Sequence, residues 1–330
     1  MTATRSSRPR LLGLALVLGT LLLAAATAAG PVLAAGLPGF AWPTQSVGNR
    51  GADVKSIQSL LRGHGVTVVY DGVFSDDTQS AVMTFQSANA LPPTGIVDAA
   101  TWQRLVTTVG PRAAREPVLT LQRQLNEKRG AGLVTTGTWD APTAAAVRAF
   151  ESHVGLPVDG VADVEVWRYL IAHYDRPVFS TAGLCDYSVG NGPANWGTGA
   201  AIGQIEAAAQ AAVKAGLGRV PVGDISLEHG GNIAGHETHE RGLDVDIRPV
   251  RDNRDQCRYG TNWRLASYNR TATRLLIKAI RAAAPGHVKL IYFNDPTLVA
   301  ERHTTRHAGH DDHLHIRFCE LAHPDPAYRC

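Results

Sequence analysis

The feature that most limits the fold of this chain is an internal repeat in its first half. From residue 72 onward the sequence matches itself at an offset of 65, so that Thr78 aligns with Thr143 and Trp102 with Trp167. A fixed period over this length marks two duplicated units. The first half is therefore predicted to consist of two similar small modules.

Each unit has the apolar spacing of short helices. In the first unit, apolar residues recur at helical spacing from Val54 to Leu61, and an Asp-Gly turn follows. A second helix is expected to end near Phe85, and a third carries Trp102. We therefore predict that each unit is a three-helix bundle of about sixty residues, with its aromatic side chains in the core.

Two short runs near the C-terminus concentrate histidine and carboxylate side chains. They are residues 235–246, GHETHERGLDVD, and residues 310–315, HDDHLH. Ten of the thirteen histidines follow residue 228, which is not the scatter expected of surface histidines. Neutral imidazoles with a carboxylate are the ligand set of a catalytic Zn²⁺ that keeps one position open for water. The two runs therefore predict a metal site.

Both runs include alternating patterns that suit strands. Residues 243–247 alternate apolar and acidic side chains, and His313 and His315 alternate with apolar neighbours. Side chains two apart on a strand project from one face. A turn before the first strand would fold His239 back toward Asp246. We therefore expect His239, Asp246 and His315 to be ligands, with His313 close by.

Other polar side chains in this region have more than one interpretation. Asp244, Asp311 and Asp312 either orient imidazoles by accepting their second N–H or form a solvated acidic loop. His229, in a Gly-rich turn, is open between a functional and a structural role. Surface or packing roles are expected for His287, His303, His307 and His323.

These runs resemble the penicillin-insensitive murein endopeptidases, within the wider superfamily of lysostaphin-type and D-Ala-D-Ala metallopeptidases. The superfamily carries H-x6-D followed later by H-x-H, which match residues 239–246 and 313–315 here. The narrower family adds a His-Gly-Gly turn, a Gly-His pair and an Asp-Asp pair. This chain has all three, at 229–231, 235–236 and 311–312, and the resemblance spans roughly residues 186–320.

The resemblance implies a set of metal-binding and catalytic residues. The implied zinc ligands are His236, His239, Asp246 and His315. Catalytic support is implied from His313, with His310 as a further candidate. Because no H-E-x-x-H glutamate is present, His313 or His310 must act as the general base.

The repeated units resemble the peptidoglycan-binding type 1 module, a small helical domain common in cell-wall hydrolases. The first unit carries DGVF at 71–74 and TGIVD at 94–98, followed by Trp102. The second unit departs from the pattern at 137–139, and Glu151 stands where the first has a glutamine. The resemblance implies peptidoglycan as the binding partner and leaves open whether the second unit binds it.

The N-terminus has the three regions of a signal peptide. Arg5, Arg8 and Arg10 precede an apolar run that continues to about residue 29, and small residues follow. An uncleaved membrane anchor is the alternative, since about nineteen apolar residues can span a bilayer. The Gly- and Pro-containing stretch that follows favours cleavage. We expect a signal peptide at 1–35 and a secreted or extracytoplasmic protein, in the cell wall or periplasm.

Cysteine usage agrees with export. All four cysteines follow residue 184, and an even number in one domain of an exported chain predicts two disulfides with three possible pairings. The resembling family closes a short loop just after the H-x-H strand. That likeness implies the pairs Cys319–Cys330 and Cys185–Cys257.

Length and charge complete the predicted architecture. A net charge of +3 without a basic run after the N-terminal segment argues against a nucleic-acid partner, and no membrane partner is expected after cleavage. We predict peptidoglycan-binding modules at 36–110 and 111–175, and at 176–330 an α+β domain with a small antiparallel sheet. Its helices are expected at 200–215 and 263–284, and its strands at 224–227, 243–248, 288–293 and 313–318.

The leading functional hypothesis is an exported zinc endopeptidase that hydrolyses peptide cross-links in peptidoglycan. One alternative is a zinc D-Ala-D-Ala carboxypeptidase, which shares both metal motifs. Another is a wall-binding protein whose metal site is structural or inactive. The Gly-His and Asp-Asp pairs favour the endopeptidase, and the complete ligand set argues against an inactive site.

Overall fold

The computed structural model of the protein describes residues 41–180, 183–188 and 194–330, together with Thr2. Apart from Thr2, the predicted signal peptide lies outside the described residues. None of the helices in these ranges is long and apolar enough to cross a membrane. The described residues from 41 onward belong to one compact unit.

Two three-helix modules form the first half, as the repeat predicts. Module 1 consists of α1 (Ala52–Gly63), α2 (Asp76–Ala88) and α3 (Ala99–Leu105). Module 2 consists of α4 (Arg115–Arg129), α5 (Ala141–Val154) and α6 (Val164–Ala172). In both modules the second and third helices are each preceded by a residue whose side chain accepts a backbone N–H of the first turn. These capping residues are Ser75, Asp98, Asp140 and Asp163.

One apolar core runs through both modules. Trp102 and Trp167 are fully buried in it, and their indole N–H groups donate to the carbonyls of Pro43 and Thr107. The prediction that the repeated aromatic residues belong to the core is therefore confirmed. Because the core is shared, the two modules form a single structural unit.

In each module a buried polar side chain holds the turn that precedes the third helix. In module 1, Gln86 Oε1 accepts the N–H of Gly95 at 2.9 Å. In module 2, Glu151 Oε2 accepts the N–H of Gly160, also at 2.9 Å. The departure of Glu151 from the repeat therefore keeps the turn contact.

The C-terminal part is an α+β domain around a five-stranded sheet. The strands are β1 (Leu184–Asp186), β2 (Val220–Val222), β3 (Asp244–Ile247), β4 (Val288–Tyr292) and β5 (Leu314–Phe318), in the order β1-β2-β3-β5-β4. The helical elements are α7 (Gly199–Lys214), α8 (Arg270–Ala283), α9 (Pro296–Ala300) and a 3₁₀ turn (Pro326–Tyr328).

The prediction of an antiparallel sheet is wrong at one edge. β1 and β2 are parallel, whereas the other strand pairs are antiparallel, so the sheet is mixed. Helix α7 lies between β1 and β2 in the chain. A helical crossover of this kind returns the chain to the same end of the sheet, which makes the two strands parallel.

Two element boundaries also differ from prediction. Residues 224–227 form only an isolated bridge at Ser226 instead of a strand, and the strand lies earlier, at β2. The helix predicted from residue 263 begins at Arg270, because the side chain of Asn269 caps it by accepting the N–H of Ala272. The predictions for α7, β3, β4 and β5 agree with the structure to within one residue at each end.

Both disulfides have the pairing that the family resemblance implies. Cys185–Cys257 connects β1 to the loop after β3, and Cys319–Cys330 closes the C-terminal segment after β5.

Module 1 packs directly on the α+β domain. Asn49 donates from Nδ2 to the buried carboxyl of Glu320 at 3.0 Å, and His287 Nε2 lies 3.2 Å from the carbonyl oxygen of Val47. Gly203 of α7 faces the backbone of Arg50 so closely that an added Cβ would lie 2.7 Å from it. The fit between the two parts requires a glycine here.

Candidate metal centre

Three of the predicted ligands meet where β3 and β5 lie side by side. Asp246 and His315 are register partners, so their side chains project from one face of the sheet. His315 Nδ1 lies 3.0 Å from Asp246 Oδ1. His239 Nε2 lies 3.2 Å from His315 Nδ1 and 3.4 Å from Asp246 Oδ1. Ligands of a tetrahedral zinc lie roughly 3.3 Å apart, given bonds of about 2.0 Å. The three donor atoms therefore have the spacing of one face of such a site.

Hydrogen bonds orient the two imidazoles of this trio. His239 donates from Nδ1 to the carbonyl of Ile225 at 2.9 Å, which leaves its Nε2 unprotonated and directed at the other donors. His315 donates from Nε2 to Asp244 at 2.9 Å. Such partners fix the ring and tautomer of a metal-binding histidine. Asp244 is 1% exposed, so the interpretation of this residue as part of a solvated loop is wrong.

The charges of the trio favour a cation. Burial opposes protonation of His315, but hydrogen bonds to Asp244 and Asp246 outweigh it and raise its pKa to about 9. Burial likewise opposes ionisation of Asp246, yet hydrogen bonds with His239 and His315 hold its pKa well below the usual range. The centre therefore keeps a buried carboxylate whose charge a proton or a metal ion must balance.

His236 lies at the rim of the same centre. Its ring centroid is 4.4 Å from that of His239, and its Nδ1 lies 3.7 Å from Asp246 Oδ2. Its Nε2 is 3.0 Å from Asp224 Oδ2. One donor atom each from His236, His239 and Asp246 lie within 4.8 Å of one another. His236 is thus within reach of a metal held by the trio.

His313 and His310 flank the centre on its open side. His313 Nε2 is 3.9 Å from Asp246 Oδ1, and its Nδ1 donates to Asp312 at 2.9 Å. The ring of His310 is 4.8 Å from that of His313. Burial lowers the pKa of His310, so its neutral form is favoured. His310 donates from Nδ1 to the carbonyl of Ala308 at 2.8 Å, which leaves its Nε2 as an acceptor.

The two residues of the Asp-Asp pair, Asp311 and Asp312, make different contacts. Asp312 accepts the hydrogen bond from His313, as predicted for a carboxylate that orients an imidazole. Asp311 instead accepts hydrogen bonds from Trp263 Nε1 and Asn294 Nδ2 and pairs with Arg264. These contacts hold the segment before β5 against the loop at residue 263.

A cleft of about 360 Å³ opens beside His313. Tyr187 and Arg248 line it, with the guanidinium of Arg248 4.2 Å from the ring centroid of Tyr187. Sequence reasoning missed both residues. Arg248 follows Asp246 by two positions, so the alternation of β3 could have placed it on the same side, whereas Tyr187 had no comparable signal.

The fold and the site define a chain of two helical modules followed by an α+β domain with a histidine and aspartate centre beside a cleft. Residues 50–105 and 114–170 match the family model described as a putative peptidoglycan binding domain. Residues 191–283 match the model of the penicillin-insensitive murein endopeptidases. No curated protein matches the chain.

The chain therefore carries two peptidoglycan-binding domains followed by a penicillin-insensitive murein endopeptidase domain, and the architecture expected from the resemblance is confirmed. The endopeptidase match includes His236, His239 and Asp246 and ends before the H-x-H of β5.

Proposed function

We propose that this chain is an exported, zinc-dependent murein endopeptidase that hydrolyses peptide cross-links in peptidoglycan. The convergence of His239 Nε2, Asp246 Oδ1 and His315 Nδ1 beside a cleft carries the proposal. The match to murein endopeptidases supports the reaction, and the two disulfides agree with an extracytoplasmic location. The proposed domains are 36–110, 111–175 and 176–330, after a signal peptide at 1–35.

The donor set fits zinc. Imidazole nitrogens with one carboxylate are typical ligands of a catalytic zinc site, and His239, Asp246 and His315 would hold the ion, with His236 as the fourth candidate. When bound, zinc polarises the scissile carbonyl and lowers the pKa of water to about 7.

His313 is the proposed general base and acid. Its Nδ1–H is engaged with Asp312, so Nε2, on the side of Asp246, is free to accept a proton. A proton taken there can pass to the amine that leaves when the peptide bond breaks. His310 presents an acceptor Nε2 as well, so in its neutral form it can receive a proton but cannot donate to an oxyanion.

The cleft supports a peptide substrate. Tyr187 offers an aromatic face and Arg248 a cation, which suits a peptide that carries a carboxylate. Asp312 and His313 also line this cleft, so a peptide bound in it would lie beside the proposed base.

A second groove supports wall binding by the modules. It has a volume of about 270 Å³ and lies between α1 and α4. Tyr70 and Arg123 line it, with the guanidinium 4.7 Å from the ring centroid, and Lys55, Asn126 and Glu127 add polar groups. A flat aromatic face surrounded by hydrogen-bonding groups suits a glycan or stem peptide.

Soluble cross-linked muropeptide dimers, analysed by mass spectrometry, test the proposal. We expect the purified protein to convert dimers to monomers, a chelator to stop the reaction, and added zinc to restore it. Penicillin should have no effect because the proposed site uses no serine nucleophile. Full activity in the chelator, or release of only a terminal residue from monomers, would contradict the proposal.

A further inference from the structure

A second cluster of histidines lies where module 2 meets the endopeptidase domain. His153 is at the end of α5, and His173 follows α6. Glu228 and His229 belong to the turn that precedes His236. One donor atom from each of these four side chains lies within 4.8 Å of the other three.

Two of the histidine donors lie at the spacing of metal ligands from the Glu228 carboxylate. His153 Nε2 lies 3.1 Å from Glu228 Oε1, and His173 Nε2 lies 3.3 Å from the same oxygen. The ring centroids of His153 and His173 are 5.6 Å and 5.2 Å from that of His229. The two distances to Glu228 are close to the roughly 3.3 Å that separates the ligands of a tetrahedral zinc.

The hydrogen bond of His173 favours a cation at this place. His173 donates from Nδ1 to the carbonyl of Tyr174 at 2.8 Å, so its Nε2 is unprotonated. That lone pair faces a carboxylate oxygen, and two acceptors at 3.3 Å repel each other unless a cation lies between them. His239 has the same arrangement in the β3–β5 site, with Nδ1 on a backbone carbonyl and Nε2 toward a carboxylate.

Arg129 supplies the cation in the structure. Its Nη1 pairs with Glu228 Oε1 and lies 3.4 Å from His173 Nε2. The Arg129 side chain is 25% exposed, so it can turn toward solvent when another cation takes its place. A metal ion with bonds of about 2 Å would bind His153, His173 and the Glu228 carboxylate more closely than a guanidinium does.

We propose that His153, His173, Glu228 and His229 form a second divalent-metal site, of the zinc type, that ties module 2 to the endopeptidase domain. Four protein ligands leave no position for a substrate, so the site is structural.

The proposed site would also steady the loop that carries His236 and His239. In the turn after Glu228, Gly231 donates its N–H to the carbonyl of Glu240 at 2.9 Å. Metal binding by Glu228 and His229 would fix the start of this loop directly. It would fix the end of the loop, at Glu240, through the hydrogen bond from Gly231.

Metal content tests the proposal. The full chain is stripped with a chelator, loaded with zinc, desalted and measured by elemental analysis. We expect about two zinc ions per wild-type chain, about one for His153→Ala and about one for His315→Ala, and none for the double variant. His303→Ala is the matched control, because His303 and His153 have similar exposure, 23% and 28%, and it should keep both ions.

Thermal stability gives a second readout that does not depend on activity. Zinc should raise the melting temperature of His315→Ala but not that of the double variant, since only the former keeps the second site. His153→Ala is preferred to a change at the fully buried His173 because the fold tolerates it better.

The variants separate the two proposals. Equal zinc content in wild type and His153→Ala would overturn the second site. Equal zinc content in wild type and His315→Ala would overturn the catalytic zinc and leave the second site standing. Arg129→Gln should bind zinc more tightly, because its guanidinium no longer competes, and weaker binding would contradict the proposal.

Discussion

The buried Lys128 offers a sharp test of how the helical modules are joined to the endopeptidase domain. Its ammonium lies 3.0 Å from Asp53 Oδ1 of module 1 and 2.7 Å from Asp175 Oδ1. It also donates to the carbonyl of His173 at 2.9 Å. Asp175 in turn exchanges backbone hydrogen bonds with Gly197 of the endopeptidase domain. One cation therefore connects all three parts of the chain.

Lys128→Met should lower the free energy of unfolding by about 3 to 5 kcal/mol, because it leaves the buried carboxyl groups of Asp53 and Asp175 without their cation. The three side chains are at most 2% exposed, so the small values typical of surface ion pairs do not apply. Burial raises the pKa of Asp175 to about 8, so this carboxyl takes up a proton readily. The loss should therefore lie closer to 3 than to 5 kcal/mol.

Urea denaturation near pH 7, followed by fluorescence of the buried tryptophans, measures the change. Lys55→Met is a matched control, since Lys55 is exposed on α1 and its loss should change stability by less than about 0.5 kcal/mol. Adding Asp53→Asn and Asp175→Asn to Lys128→Met should recover much of the loss, because a neutral set needs no cation. A loss below about 1 kcal/mol for Lys128→Met would refute the reasoning.

Three further predictions concern the interface and the wall groove. Burial raises the pKa of Glu320 from 4.5 to about 8, so its contribution to stability is fully present below pH 4.5 and is lost as the pH rises through 8. Glu320→Gln should flatten that decline in thermal scans, and an unchanged slope would count against it. Gly203→Ala should destabilise the protein despite the usual gain of up to about 1 kcal/mol for alanine in a helix, because the new Cβ meets the backbone of Arg50. Tyr70→Ala and Arg123→Ala should weaken sedimentation with insoluble wall but leave hydrolysis of soluble dimers unchanged, whereas equal losses would show that the groove is not the wall contact.

The helical modules were predictable because their signals are local. Apolar residues at helical spacing, Asp and Ser caps, and glycine turns all lie within a few residues of the elements that they define. The repeat doubles each signal, since a substitution such as Glu151 for the glutamine of module 1 can be read against its counterpart. The shared core of the two modules was not predicted, because contacts between α1 and α4 leave no periodicity of their own.

The β3–β5 centre was predictable to the extent that strand alternation fixes which side chains share a face. Alternation predicted that the side chains of Asp246 and His315 project from one face of two adjacent strands, and the structure pairs the two residues in register. The cleft beside His313 was harder to predict, because the position of Tyr187 depends on how β1 joins the sheet. β1 has three residues and pairs in parallel through a helical crossover, which the sequence patterns did not indicate.

The histidine cluster at the domain interface could not be predicted from the sequence. His153 and His173 have no other histidine near them in the sequence, so each is most simply interpreted as a surface or helix-capping residue. Only the packing of module 2 on the turn at Glu228 and His229 brings the four side chains together.

Parallel measurement of zinc content and turnover in two variants of the H-x-H tests the central claim most directly. His315→Ala should lose the zinc of the β3–β5 site together with hydrolysis of a defined muropeptide dimer. His313→Ala should keep the wild-type zinc content and lose about 10²- to 10⁴-fold in rate, the usual contribution of a general acid or base. If His313→Ala loses zinc as fully as His315→Ala does, His313 is a ligand and the proposed mechanism is wrong.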